Sequence, residues 1–293
     1  MKALAVTQYT MLELSRRRIL LVFFIIGAAG LLIFGIGFRV IYSFAVSGQF
    51  AARNLPPEVF NKVLQLQFLS YLYGALSTFA LLIAFGIGMT AIYHDLESGA
   101  AVSIFSKPVT RLEFAAGKIA AAAASMVVIV GALAVEARLV MLLFPGGLEG
   151  SMTAQVIATT ANTLLLMLLV LALSTWINNI VAAIVAFIYY NVITGVIVAV
   201  HQLFDSGAFD NPVLKTIFDL LYWTVPHALV SSAPGDLVRM QLELSNRSTN
   251  GPNTAQTLAL IPPASGLGDI AWWAFLVVLF SALVYFAVRR RQV

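Results

Sequence analysis

Six stretches of this chain are too long and too continuously apolar for a water-soluble core. They cover residues 19–38, 68–92, 115–144, 154–176, 180–204 and 270–288. A helix needs ~20 mostly apolar residues to cross the hydrocarbon layer of a bilayer. The apolar residues run together instead of alternating, which is the pattern of spanning helices and not of barrel strands. The expected fold is an all-α membrane protein with six transmembrane helices. Composition agrees. The chain is 60% hydrophobic and 10% charged, where a soluble domain carries about 25% charged residues. The net charge of +4 is therefore read as loop placement, and no nucleic-acid partner is expected. The absence of cysteine excludes disulfides, thiolate metal sites and a cysteine nucleophile.

The basic residues orient the spans. Lys2 and Arg16-Arg17-Arg18 precede the first, Lys107, Arg111 and Lys118 lie around the second-to-third connection, and Arg289-Arg290-Arg291 follow the sixth. With six spans these fall on one side. The other side holds Arg39, Arg53, Lys62, Lys215, Arg239 and Arg247 over much longer loops. Lys and Arg accumulate in cytoplasmic loops, so both termini are expected in the cytoplasm. The run Ser15-Arg16-Arg17-Arg18-Ile19-Leu20 has some likeness to a twin-arginine export signal. The apolar run behind it exceeds the ~7–15 residues of a cleaved signal, which favours an uncleaved helix.

The segments between spans carry further signals. Residues 1–15 read as an amphipathic helix on the inner membrane surface or as a frayed terminus. Leu4, Gln8, Met11, Leu12 and Ser15 fall near one face of such a helix. In the cytoplasmic stretch 93–114, Thr110-Arg111-Leu112-Glu113 is a capping box that starts the third span. Ahead of it, Val102, Ile104 and Phe105 put apolar surface in a loop that should be polar. That surface needs a cover: headgroups, the chain's own helices or a cytoplasmic partner. In the first outer loop, 39–67, which contains Pro56-Pro57, Ser47-Gly48 suggests a break before a short return helix. In the outer segment 205–269, Asn211-Pro212 is a good N-cap and first-turn pair. The amphipathic run behind it is too short to cross the bilayer and reads as interfacial or re-entrant. Residues 242–268, rich in Ser, Asn, Thr, Gly and Pro, read as a loop.

Few residues offer chemistry. Gly117-Lys118 is followed by Ile119 and lacks the upstream glycine of a phosphate-binding loop, so the chain itself is not expected to hydrolyse ATP. Neither His-Glu-x-x-His nor Gly-x-Ser-x-Gly occurs. No catalytic residue and no cofactor of its own are expected. His201 and Asp205, four apart on one helix face, are the best metal or proton candidates, with His227 as a third. An ordinary membrane-surface ending is the preferred explanation for them. Glu136 and Arg138 sit near the outer boundary of the third span, where Arg can snorkel. Asn162, Tyr189, Tyr190, Asn191 and Thr194 lie deep in spans. They could line a substrate path or form interhelical hydrogen bonds. Gly117, Ala121 and Ser125, and Ala84 with Gly88, are small-residue stripes that allow close helix contact. No charged ring or filter sequence suggests a channel. No paired carboxylates in the span cores suggest an ion-coupled carrier, which stays the weakest reading.

Together, the surface helix, six spans, capped cytoplasmic loop and outer segment resemble the permease subunits of ABC-2-type transporters. The most specific match is Asp95-Leu96-Glu97-Ser98-Gly99, then Ser106-Lys107-Pro108-Val109-Thr110-Arg111 and Gly117-Lys118. Ala100 stands where that family usually has Thr. Val225-Pro226-His227 before a polar loop and a last span ending in arginines resembles the branch that includes permeases of copper-enzyme maturation systems. The resemblance implies a single permease domain in a bacterial inner membrane, paired with a second copy of itself. Two cytoplasmic ABC ATPase subunits would carry the ATP and Mg. Their seat would be the loop bearing Asp95, Glu97, Gly99, Val102, Ile104, Phe105, Lys107 and Arg111, and the complex would export a cargo. An alternative from another class is a membrane scaffold or regulatory subunit of an ATPase complex that does not transport.

Overall fold

The computed structural model describes residues 2–16, 18–44, 57–93, 109–142, 152–207, 209, 211–246 and 263–290. Among these residues there is helix and no strand. Helix α1 covers Lys2–Arg16, α2 Arg18–Phe44, α3 Pro57–Thr90, α4 Arg111–Met141 and α5 Met152–Ser174. Helix α6 runs over Asn179–Asp205 and contains a π-helical turn at Ile188–Ile193. Helices α7, Pro212–Tyr222, α8, Ser232–Asn246, and α9, Leu267–Arg290, complete the described chain.

Six of these, α2 to α6 and α9, are long and apolar enough to cross a membrane. The chain is thus a multi-pass membrane protein, as the apolar runs predict. Helices α3 and α5 are the most buried of the six and form the centre of the bundle. The outward faces of α2, α6 and α9 expose rows of Ile, Val, Leu and Phe, as helices bathed in lipid do. Helices α2 and α3 overrun their expected bounds. Helix α2 continues through Arg39 to Phe44. The expected short return helix after Pro56-Pro57 is instead the first part of one 34-residue helix, α3. At 1.5 Å per residue it is about 51 Å long and outreaches a ~30 Å hydrocarbon core.

Lipid removes the hydrophobic drive for helices to associate, so close packing must do more. The core shows how. Phe68, Leu72, Leu76, Ile83 and Ile87 of α3 and Leu165 to Leu171 of α5 are buried in one shared core. Phe38 and Phe34 of α2 stack over Phe68 at 4.7 and 6.0 Å between ring centroids. Gly30 of α2 lies under the Phe79 ring and Gly35 under Val140. Gly88 lets α3 and α5 touch backbone to backbone, where a Cβ would fall 2.8 Å from the Met167 carbonyl oxygen. The Ala84–Gly88 stripe is therefore a helix contact within the chain.

Two loop expectations need correction. Residues 242–246 are the last turn of α8, not loop. Pro234 falls in the first turn of α8, where its missing N–H costs nothing. Residues 267–268 begin α9.

Candidate functional site

Three places gather polar side chains. The first is at the end of the bundle that carries the basic clusters. Thr110 and Glu113 form the expected capping box. The Glu113 N–H donates to Thr110 Oγ1 at 3.2 Å, and the Thr110 N–H donates to Glu113 Oε2 at 2.9 Å. Helix α1 lies across the start of α4. Thr7 Oγ1 donates to the Gly117 carbonyl at 3.2 Å. Lys118, wholly buried, sets Nζ 3.2 Å from Glu13 Oε2 and over the Phe114 ring. Val6 of α1, Phe114 and Ala115 of α4 and Val288 of α9 make a small separate core. The Arg111 guanidinium donates to the Arg289 carbonyl, and Arg290 lies over Trp176 of the α5–α6 turn. Three helices are thus fastened where α4 begins. The Leu4, Gln8, Leu12 and Ser15 face of α1 is exposed and Met11 half-buried, so the expected interfacial face is free for the membrane. Lys118, read in sequence as a loop-side cation, is instead engaged inside the protein. Of the expected coupling residues, Asp95, Glu97, Gly99, Val102, Ile104, Phe105 and Lys107 lie outside the described residues. Arg111 lies within them.

The second place is at the opposite end. His201 and Asp205 do share a face of α6, with Nε2 and Oδ2 3.2 Å apart. Helix α7 adds two residues that sequence spacing did not reveal. Asp219 Oδ1 lies 3.0 Å from His201 Nδ1 without the alignment of a hydrogen bond, and Lys215 Nζ lies 3.2 Å from Asp205 Oδ1. Asn211 caps α7 through the N–H groups of Val213 and Leu214, as expected. His201, Asp205 and Asp219 could each offer one ligand atom to a metal ion. A cation there would have to displace the Lys215 ammonium, which already balances Asp205. The set is better described as an ionic clasp holding α7 to the end of α6.

His227 does not join that clasp directly. Tyr222 links the two histidines, stacked on His201 at 4.4 Å and on His227 at 4.0 Å. Its hydroxyl donates to Asp269 Oδ1 at 3.1 Å. Burial, then Asp269 and Asp205, raise the Tyr222 phenol above its usual range and keep it a donor. His227 is buried, with Nδ1 3.2 Å from the Tyr222 carbonyl oxygen and Nε2 3.3 Å from Asp269 Oδ1. Asp269, in the first turn of α9, also accepts from the Gly266 N–H at 2.8 Å, a favourable place for a carboxylate.

Non-helical chain from Val225 to Ser231 crosses this end of the bundle. Such chain beside membrane-spanning helices needs protein partners for its polar groups, and several of them have one. Trp272 Nε1 donates to the Val225 carbonyl at 3.0 Å. Asn162 grips Leu229 at both ends, accepting from its N–H at 2.7 Å and donating to its carbonyl at 2.9 Å. Ser265 Oγ accepts from the Val230 N–H at 2.8 Å. Tyr189 OH donates to the Thr224 carbonyl at 3.3 Å.

Burial lowers the His227 imidazole below its ordinary value near 6.5, outweighing the Tyr222 carbonyl and Asp269, which pull it upward. A histidine held neutral by the fold stabilises fully above that value. The stability is lost as pH falls below it, because the unfolded chain takes up the proton first. Lowering the pH from about 7.5 to 5.5 should therefore reduce thermal stability in detergent, and His227→Gln should flatten part of that slope. An unchanged slope in the variant would assign the pH dependence to other groups.

The third place is a cavity of about 330 Å³ between α3, α5 and α6. Four of the five deep polar residues expected along a path line it: Asn162, Tyr190, Asn191 and Thr194, joined by Ser77 and Thr159. Tyr189 points elsewhere, to Thr224. Bonding to the Val225–Ser231 strap accounts for Asn162, and bonds within α6 account for Asn191 and Thr194. Asn191 donates to the Phe187 carbonyl and Thr194 to the Tyr189 carbonyl, five residues back in the π turn. Glu136 of α4 is half-buried, with Oε1 unbonded among the described residues, and Arg138 is exposed; neither lines this cavity.

Comparison with protein-family models and with curated proteins finds no match to this chain.

Proposed function

We propose that this chain is the membrane subunit of an ATP-driven ABC exporter. It works as a pair of permeases, and separate cytoplasmic ATPases supply ATP hydrolysis. The observation that carries the reading is the fastening of α1, α4 and α9 at the basic end. It includes Arg111 and Glu113, the described end of the stretch 93–114 whose sequence resembles an ATPase-docking loop.

A motor that pushes on a loop does useful work only if the loop's anchor is stiff. The capping box fixes the loop's end to α4. The Glu13–Lys118 pair and the Arg111 contact pass a displacement on to α1 and α9, so helices move and the loop does not merely flex. The positive-inside pattern supports a cytoplasmic location for this end, where ATP is. The second reading, a scaffold that docks an ATPase without transporting, uses the same platform. The polar cavity between α3, α5 and α6 favours the transporting one.

Co-purification in nanodiscs with ABC ATPases from the same genome tests docking. The wild-type chain should retain one of them, and Glu97→Ala/Phe105→Asp should lose it while staying folded. Retention of no ATPase by the wild type, or equal retention by the variant, overturns the docking assignment.

A further inference from the structure

A groove of about 280 Å³ runs between α1, α2 and α4 at the basic end. Met11 and Leu14 of α1, Leu21 and Phe24 of α2, and Val128 and Ile129 of α4 line it. The other lining residues are Ser15 and Ser125, and the Ser15 hydroxyl already donates to the Leu12 carbonyl. A water settles in a cavity only with about two to four polar partners. This lining offers too few, and an alkyl chain fills it better. Leu21 and Val128 are 54% and 63% exposed, so the groove is open along one side.

Its depth follows from the register of α2 on α4. Gly27 faces Leu133 and Gly35 faces Val140, so the two helices run side by side in the same direction. The start of α2 at Arg18 is then level with about Ala124, one turn before Val128. Leu21 and Phe24 lie about 5–9 Å further along the axis. The groove therefore occupies the first turns of the apolar layer, the depth of the upper part of a lipid chain. At ~30 Å³ per water-sized group it takes about nine carbons, a large part of one chain and not of two.

The rim selects the headgroup. Arg16, next to the lining residue Ser15, is exposed and has no ion-pair partner among the described residues. Glu13 is the one acid on α1, and it is held by the buried Lys118. Arg17 and Arg18 follow in the chain. An arginine at a membrane surface attracts an anionic lipid with about 1 kcal/mol. A zwitterionic lipid carries its own cation beside the phosphate and gains less.

We propose that this groove holds one acyl chain of an anionic phospholipid whose phosphate pairs with Arg16. The chain completes the contact of α1 with α2 and α4 where their side chains leave a gap. The proposal does not rest on the transporter reading, since a scaffold would bind the same lipid and no ATPase takes part.

Photolabelling in nanodiscs tests it, with a phosphatidylglycerol carrying a diazirine in the first half of one chain and the phosphatidylcholine of identical chains as comparison. The phosphatidylglycerol should label peptides covering 11–24 and 125–129 well above the exposed faces of α6, and the phosphatidylcholine should label all of them alike. Ser125→Leu fills the groove and should abolish the preference. Gly131→Leu, on the same helix but outside the lining and with nothing within 4 Å of its added Cβ, should keep it. Arg16→Gln leaves the groove intact and should raise the fraction of unlabelled phosphatidylglycerol needed to compete by about fivefold, the worth of one arginine at the surface. Equal labelling of the groove by both lipids, an unchanged preference in Ser125→Leu with melting preserved, or an unchanged competition in Arg16→Gln would overturn the proposal. So would a groove that neither lipid labels, which would assign its cover to protein.

Discussion

Glu13→Ala releases the N-terminal helix from the bundle. Lys118 Nζ is fully buried, and the Glu13 carboxylate is 3.2 Å from it. Removing one member of a buried pair weakens the compensation of the other charge and costs up to about 3–5 kcal/mol. Glu13 keeps 23% of its side chain exposed, so the lower end, about 3 kcal/mol, is expected. Replacing both residues with apolar ones, Glu13→Leu/Lys118→Met, removes the charge along with its partner and should recover most of the loss. The chain has no cysteine, which makes a clean reporter available. A cysteine at Val6, buried between α1 and the start of α4, should react slowly with a maleimide in the parent and much faster beside Glu13→Ala. Equal reaction rates would mean that the ion pair does not hold α1 in place.

The second large effect belongs to Gly88. An added Cβ there would sit 2.7 Å from Val170 Cβ and 2.8 Å from the Met167 carbonyl oxygen. The second of these is backbone and cannot rotate away, so α3 and α5 must separate along the most buried contact in the bundle. Gly88→Ala should cost about 1–3 kcal/mol, with Gly88→Leu worse. Gly74, on the same helix, has nothing within 4 Å of an added Cβ. Gly74→Ala should be neutral or stabilise by up to ~1 kcal/mol through helix propensity. Thermal unfolding of the two variants in the same detergent separates packing from propensity. Similar melting for both would remove the argument that α3 and α5 are held by close approach.

The six spans were legible because a spanning helix is specified by a local property, some twenty apolar residues in a row, that needs no knowledge of neighbours. The capping box at Thr110 and Glu113 was legible for the same reason. Helix α8 was not, because Pro234-Gly235 and its polar residues look like loop until one sees that the proline occupies a first turn. At the far end, His201 and Asp205 could be paired by their spacing of four. Asp219, Lys215, Tyr222 and Asp269 could not, since α7 and the start of α9 reach them only through tertiary docking. Glu13 and Lys118 are 105 residues apart, and neither looked unusual beside the other basic and acidic residues near the membrane surface. The cavity residues stood out as polar side chains in apolar runs. Which of them bonds its own helix and which faces empty space depends on the π turn in α6, a feature without a local sequence signature here.

The polar groups at the two ends differ in kind. At the basic end they fasten α1, α4 and α9 to one another where α4 begins. At the other they bond much of the backbone of a non-helical strap and clasp α7 to the end of α6.

ATP turnover by the partner ATPase in nanodiscs tests the central claim most directly. The rate would be compared with this chain, without it, and with Glu97→Ala/Phe105→Asp. The account expects the chain to bind the ATPase and raise its rate several-fold, and expects the loop variant to return the rate to that of the ATPase alone. An ATPase whose rate is the same in all three would contradict the account, and this membrane protein would then have no motor.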